Sequence, residues 1–95
     1  MPITLVHQTK AEFSARFWSR LKAAHLAGDK VEYSRLIWWI YQRITAGDLT
    51  SNEVRLSFNA AYGRSLTVAQ WSALASTRFA PARDRYQAML DEEAL

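Results

Sequence analysis

Residues 30–46, KVEYSRLIWWIYQRITA, carry the clearest structural signal in this 95-residue chain. At about 100° of rotation per residue, most of their apolar side chains fall on one arc of a helix. Trp39 projects from nearly the opposite side, between Arg35 and Arg43, and Trp38 lies between the two arcs. Because a helix that is apolar almost all round is usually buried by several neighbours, a central helix is one interpretation of this stretch. The arc consists of Tyr33, Leu36, Ile37, Ile40, Tyr41 and Ile44.

Glycines and capping patterns outside this stretch mark the ends of further helices. A glycine follows a run of helix formers at three places, as the residue after a helix C-terminus commonly does. A Thr or Asp followed three residues later by Glu or Gln stands at four of the predicted helix starts, and this pattern is typical of a helix N-terminus. We therefore predict helices at residues 10–27, 30–46, 51–62, 67–77 and 81–92. The signals are Gly28, Gly47 and Gly63 for the ends, and Thr9, Asp29, Thr50, Thr67 and Pro81 for the beginnings.

The linkers between these helices are short, so consecutive helices should pack beside one another. We predict an all-α fold, a compact bundle of four to five short helices that forms a single domain over residues 1–95. A short N-terminal tail would occupy residues 1–8. The acidic end at residues 91–95 would be frayed, because acids are unfavourable at the negative end of a helix. The predicted core contains Phe13, Phe17, Leu21, Leu36, Ile37, Ile40, Ile44, Phe58, Trp71 and Leu74, with Trp18 and Tyr41 beside them.

Composition and missing motifs exclude several classes of protein. The chain has no cysteine, which excludes disulfides, thiolate zinc sites and thiol catalysis. The longest apolar run, at residues 36–41, is six residues long, against the roughly 20 of a membrane span, and the first residues contain no secretory signal. The two histidines lack ligand spacing, and neither a nucleophile elbow nor a phosphate loop is present. We expect a cytoplasmic protein that is not an enzyme and that holds no metal or cofactor.

Trp39 and its two flanking arginines form the strongest candidate site. Tryptophan and arginine dominate protein interaction hot spots because they combine a large contact area with directional bonding, and a guanidinium over an indole adds cation–π attraction. The alternative is that Trp39 belongs to the core and that Glu32 neutralises Arg35. The same face would also serve as the interface of a homo-oligomer. The predicted protein-binding residues are Arg35, Trp38, Trp39, Gln42 and Arg43.

A second basic cluster lies around the start of the last predicted helix. Nine of the twelve Lys and Arg residues are arginine, and nine acids leave a net charge of +3. Arginines bind phosphate with bidentate geometry, and Phe79 and Tyr86 would stack on the bases of a single strand. A solvated helix start is the other interpretation, with Asp84 amid the arginines. The nucleic-acid-binding alternative, which reads no base sequence, uses Arg64, Arg78, Arg83 and Arg85.

In its short length, helical content, arginine bias and lack of motifs, the chain resembles many phage-encoded proteins that bind and block host machinery, anti-CRISPR proteins among them. The resemblance implies an inhibitor carried by a phage or another mobile element, acting in the cytoplasm of a bacterial or phage-infected bacterial cell. An assembly subunit is the other form of protein-binding module that we expect. No motif carries the resemblance, so it assigns no site residue. A protein partner is therefore the leading expectation and nucleic acid the alternative.

Overall fold

Helices make up almost all of the chain that the computed structural model describes, which is the backbone of residues 10–94 and the side chains of residues 15–94. No strand occurs in that part, and the predicted all-α bundle of four to five helices is confirmed. None of the described helices is long and apolar enough to cross a membrane. The predicted tail, the Thr9 cap and the side chain of Phe13 lie outside the described residues. The helices are α1 (Lys10–Ala27), α2 (Lys30–Thr45), α3 (Ser51–Tyr62), α4 (Val68–Leu74) and α5 (Ala80–Glu93).

Short-range hydrogen bonds fix the helix ends at positions that the sequence predicts. At the start of α3, the Glu53 N–H donates to the Thr50 hydroxyl over 3.1 Å, and the Thr50 N–H donates to the Glu53 carboxylate over 3.0 Å. Thr67 and Gln70 form the same reciprocal capping box at the start of α4. Gly63 ends α3 with a φ of +61°, a conformation that costs a residue with a Cβ about 1–2 kcal/mol.

The predicted gap at residues 78–80 does not exist, because α4 continues into α5 through a π-helical turn at Ala75–Phe79. The Ala80 N–H donates to the Ala75 carbonyl, one residue further back than in an α-helix. Pro81 follows directly, and in a regular helix its ring would crowd the carbonyl four residues earlier. We attribute the wider turn to that crowding. Pro81 therefore lies inside one continuous rod, where the sequence predicted a fresh helix start.

An aromatic cluster centred on Phe58 forms the middle of the core. Between ring centroids, Phe58 lies 4.4 Å from Tyr62, 5.3 Å from Trp71 and 5.5 Å from Trp18. Phe79 completes the cluster at 6.1 Å. These five rings come from α1, α3, α4 and the π turn. The cluster therefore joins four separate elements of the fold.

Most of the predicted core is confirmed. Phe79 and Ala82 are also buried, although the sequence predicted neither. Both follow from the π turn, since its wider circuit brings Phe79 onto the same side as Trp71, with 5.5 Å between their ring centroids. The predicted residues found buried are Phe17, Trp18, Leu21, Leu36, Ile37, Ile40, Phe58 and Trp71, with Tyr41, Ile44 and Leu74 half-buried against them.

Helix α2 lies between α1 and α5, and it packs more extensively against α5. Its two adjacent tryptophans contact different neighbours, because successive side chains are about 100° apart. Trp38 Nε1 donates to Gln87 Oε1 of α5 over 2.8 Å. Trp39 stacks on Phe17 of α1 with 5.9 Å between ring centroids. This arrangement leaves a ridge of α2 only half-buried between the two flanking helices.

Replacing Phe58 with alanine should lower the free energy of unfolding by about 3–5 kcal/mol, because the surrounding rings cannot close the cavity that remains. Urea unfolding followed by circular dichroism measures the loss. Leu56→Ala in the same helix is the control, since its side chain is 52% exposed and should change stability by about 0.5 kcal/mol or less. Similar losses for both variants would contradict a central role for Phe58.

Candidate protein-binding site

The five residues predicted to bind a protein all lie on this ridge of α2, and we call the set the Trp39 ridge: Arg35, Trp38, Trp39, Gln42 and Arg43. All five are half-buried. Helical rotation places Arg35, Trp39 and Gln42 along the middle of the ridge, with the other two residues at its margins. Val31, one turn before Arg35, extends the ridge with an apolar side chain that is 52% exposed.

Trp39 is held by two neighbours while part of its side chain faces solvent. Its indole stacks on the buried Phe17 ring with an angle of 29° between the planes. The Arg43 guanidinium lies 5.8 Å from the indole centroid, within the range of cation–π attraction. Lying opposite the apolar arc does not leave Trp39 free, because α1 packs against that side of α2. Trp39 is therefore neither fully exposed nor fully buried in the core.

Glu32 holds the arginine on one side of Trp39. The Nε and Nη2 atoms of Arg35 donate to the two carboxylate oxygens of Glu32, both over 2.8 Å, and Arg20 of α1 lies 3.6 Å from the same group. The hydrogen bond from Arg35 lowers the pKa of Glu32 most, partial burial opposes it, and the charges of Arg35 and Arg20 lower it further. Such a bidentate pair fixes the plane of the guanidinium. The expectation that Glu32 neutralises Arg35 is confirmed.

Asp48 holds the arginine on the other side. Arg43 Nη1 donates to Asp48 Oδ2 over 2.8 Å, just beyond the end of α2. The Nε of Arg43 is buried and has no hydrogen-bond partner among the described residues, which is an unfavourable state for a donor. Two carboxylates therefore oppose the ridge arginines, and one guanidinium nitrogen is left without an acceptor.

Trp38 is tied to α5 rather than presented outward. Besides its hydrogen bond to Gln87, its ring lies 5.4 Å from the Tyr86 ring between centroids. The Gln87 amide in turn donates to Asp91 over 3.1 Å, within the acidic end of α5. Trp38 therefore lies at the rim of the ridge and holds α5 in place. Of the two tryptophans, Trp39 is the better candidate for contact with a partner.

The four arginines of the nucleic-acid alternative do not form one cluster. Arg83 pairs with Asp84 over 2.9 Å, and its guanidinium lies 4.6 Å from the ring centroid of Tyr41. Arg64 is exposed in the loop after α3. Only Arg78 and Arg85 line a common groove.

The predicted base-stacking role of Phe79 is wrong, because its ring is 5% exposed and belongs to the core. Tyr86 is half-buried against Trp38, so it is not an open stacking platform either. The π turn caused this error, since a regular helix would have ended before Phe79 and left it in a surface linker. A single strand bound along all four arginines has no continuous track on this surface.

Several residues that shape the ridge were not foreseen. Gln87 contacts Trp38 across 49 residues of sequence, a separation at which no local pattern operates. Asp48 pairs with Arg43 because the chain turns back after α2. The sequence signal for this pair was Gly47, which allows the turn, followed directly by an acidic residue. Arg20, which supports Glu32, was visible as a cation on the border of the apolar face of α1.

The described residues contain no group of three metal-ligating side chains. Two tyrosines have raised pKa values, Tyr41 and Tyr62, and burial in the core is the main cause for both. Neither belongs to the Trp39 ridge. Packing in the core thus explains the raised pKa values of both tyrosines.

No protein-family model matches the chain, and no curated protein and no solved structure is significantly similar to it. The likeness to phage-encoded inhibitors therefore rests on the general character of the sequence.

Glu32→Gln should make folding less sensitive to acid. The pKa of Glu32 is lowered from about 4.5, so its stabilising effect is present above that pH and is lost as the pH falls through the folded-state pKa. Because the pair is partly exposed, we expect an effect of less than about 1 kcal/mol. Urea unfolding at neutral pH and at about pH 3 measures it.

The control for this prediction is Glu92→Gln, an exposed acid at the end of α5. That variant should keep the pH dependence of the wild type. If Glu32→Gln also keeps it, the carboxylate does not hold Arg35 in solution.

Proposed function

We propose that this chain is a small, non-catalytic protein-binding module and that the Trp39 ridge is its contact surface. The observation that carries the proposal is the fixed position of Trp39, held by Phe17 and by the Arg43 guanidinium while part of its side chain faces solvent. A tryptophan in the middle of a contact patch buries a large area and is among the commonest hot-spot residues. An indole that is already ordered is well suited to that role.

The arginines beside Trp39 support the proposal because they are ordered before any partner arrives. Immobilising a long side chain at an interface costs about 0.5–1.5 kcal/mol. The carboxylate of Glu32 fixes Arg35, and that of Asp48 fixes Arg43. The unpartnered Nε of Arg43 also favours a partner whose approach lets this guanidinium find an acceptor.

The chemistry of the ridge indicates what a partner surface should offer. An apolar pocket would receive the indole of Trp39, and carbonyl or carboxylate oxygens at its rim would accept from Arg35 and Arg43. Because carboxylates already oppose both arginines, the ridge carries little excess charge. Binding should therefore depend weakly on salt, whereas a phosphate backbone is held by uncompensated cations and released by salt.

Two forms of module fit this surface, an inhibitor of host machinery carried by a phage or mobile element, and an assembly subunit. Both act on another protein in the cytoplasm of a bacterial or phage-infected bacterial cell. A second copy of the chain is the third form, since a ridge that pairs with itself gives a symmetric dimer. Sedimentation of the wild type over a range of concentrations separates the last form from the other two.

Trp39→Ala should weaken partner binding about tenfold or more, because loss of a central tryptophan anchor costs roughly 2 kcal/mol or more. The wild-type protein on a resin is used to capture its partner from a bacterial lysate at high salt, with and without nuclease. Mass spectrometry identifies the retained protein. Calorimetry with the purified partner then gives the affinities of wild type and variant.

Trp39 also packs on Phe17, so the variant loses some stability and needs a matched control. Val54→Ala supplies it, since Val54 is a buried residue of α3 that is 4% exposed and is not one of the ridge residues. Urea unfolding shows that both variants are folded during the binding assay. Loss of binding in Trp39→Ala alone supports the proposal. Equal loss in both variants, or capture that nuclease abolishes, contradicts it.

A further inference from the structure

A groove of about 430 Å³ lies between the α1–α2 turn and the junction of the π turn with α5. Tyr33 lines it, and about 200° of helix rotation separates Tyr33 from Arg35 on the Trp39 ridge. The groove therefore opens on the other side of α2. Besides Tyr33, its charged or titratable lining consists of His25, Asp29, Lys30, Arg78 and Arg85.

Neutral groups position the two arginines of the groove. Arg78 Nε donates to the Tyr33 hydroxyl over 3.1 Å. Arg85 Nε donates to the Ser34 Oγ over 3.0 Å, and Ser34 is 1% exposed. Neither arginine pairs with a carboxylate of the described residues. Both are thus held in place while their charge stays uncompensated, in contrast to Arg35 and Arg43.

Further charges give the groove a positive excess. Lys30 adds a third cation, and Asp29 is the only carboxylate among the lining residues. The Asp29 Oδ1 atom already accepts the Glu32 N–H over 3.1 Å as the cap of α2. The three cations outnumber this single carboxylate, which is already engaged as a helix cap, and they repel one another. A bound anion would relieve that repulsion.

The π turn fixes where one of the two groove arginines lies. Arg78 belongs to the turn and Arg85 to α5, yet both line one groove. Single π turns inside α-helices are frequent at functional sites. Pro81 lies on the groove side of the turn, and Phe79 is buried in the core on its other side. These two residues together hold the backbone that carries Arg78 in place.

We propose that this groove binds a phosphate group. Two guanidinium groups and an ammonium suit a tetrahedral dianion with several acceptor oxygens better than a single carboxylate. The groove is larger than one phosphate and falls within the size range of small-molecule sites, so it has room for the sugar and base of a nucleotide. The phosphate source is free phosphate, a nucleotide or the backbone of a single strand. This inference does not rest on the Trp39 ridge.

The test titrates ¹⁵N-labelled protein with inorganic phosphate, with uridine monophosphate and with a short oligothymidylate. At least one probe should shift amide signals concentrated at Gly28, Lys30 and Arg78. The double variant Lys30→Gln/Arg78→Gln should bind that probe about tenfold more weakly or worse, since each charged hydrogen bond contributes appreciably. It leaves Arg85 and its bond to the buried Ser34 in place.

The control removes the same charge elsewhere, at the exposed positions Arg16 and Arg64, by substitution with glutamine. It should bind like the wild type, and thermal unfolding confirms that both double variants are folded. The tightest probe identifies the phosphate source, and a log-linear loss of affinity with salt marks the backbone of a strand. Equal weakening in both double variants, or no localised shift with any probe, overturns the proposal.

Discussion

Stacked and edge-on packing of aromatic rings around Phe58 holds the rest of the structure in place. A chain of this length buries only about two-thirds of its unfolded surface, so large rings contribute much of the apolar area that leaves water. Trp18, Tyr62, Trp71 and Phe79 surround Phe58 and come from separate elements. Leu36, Ile37 and Ile40 of α2 belong to the same buried cluster. The rings and the apolar face of α2 thus form one core, and α5 packs on α2 beside it.

The protein holds its arginines in two different ways, and the difference distinguishes its two candidate surfaces. Arg35 and Arg43 on the Trp39 ridge are paired with carboxylates, which order them and cancel their charge. Arg78 and Arg85 in the groove are ordered by hydroxyl groups, which leave the charge intact. The first arrangement suits contact through shape and an indole, and the second suits an anion. A uniformly basic protein would not separate these properties on opposite sides of one helix.

Helix caps and ion pairs within one helical turn were predictable from the sequence, whereas contacts between distant segments were not. The caps at Thr50 and Thr67 depend on residues three positions apart, and the Glu32–Arg35 pair lies within one helical turn. The periodicity of apolar residues identified the buried face of α2, because few polar residues interrupt that face. The π turn had no sequence signal of its own, since proline also begins helices, and it displaced Phe79 from a predicted linker into the core. The groove was missed because His25, Lys30 and Arg78 come together only through tertiary packing.

The dependence of α2 on α5 has a consequence for biosynthesis. The hydrogen bond between Trp38 and Gln87 spans 49 residues, and closing a chain segment of that length costs roughly 3 kcal/mol of entropy before any contact compensates. The ribosome delivers α1 and α2 first, so a hairpin of these helices can assemble early, with one flank of α2 uncovered. That flank remains accessible to chaperones or to other nascent chains until α5 leaves the exit tunnel. The Trp38–Gln87 hydrogen bond can therefore form only after α5 has emerged.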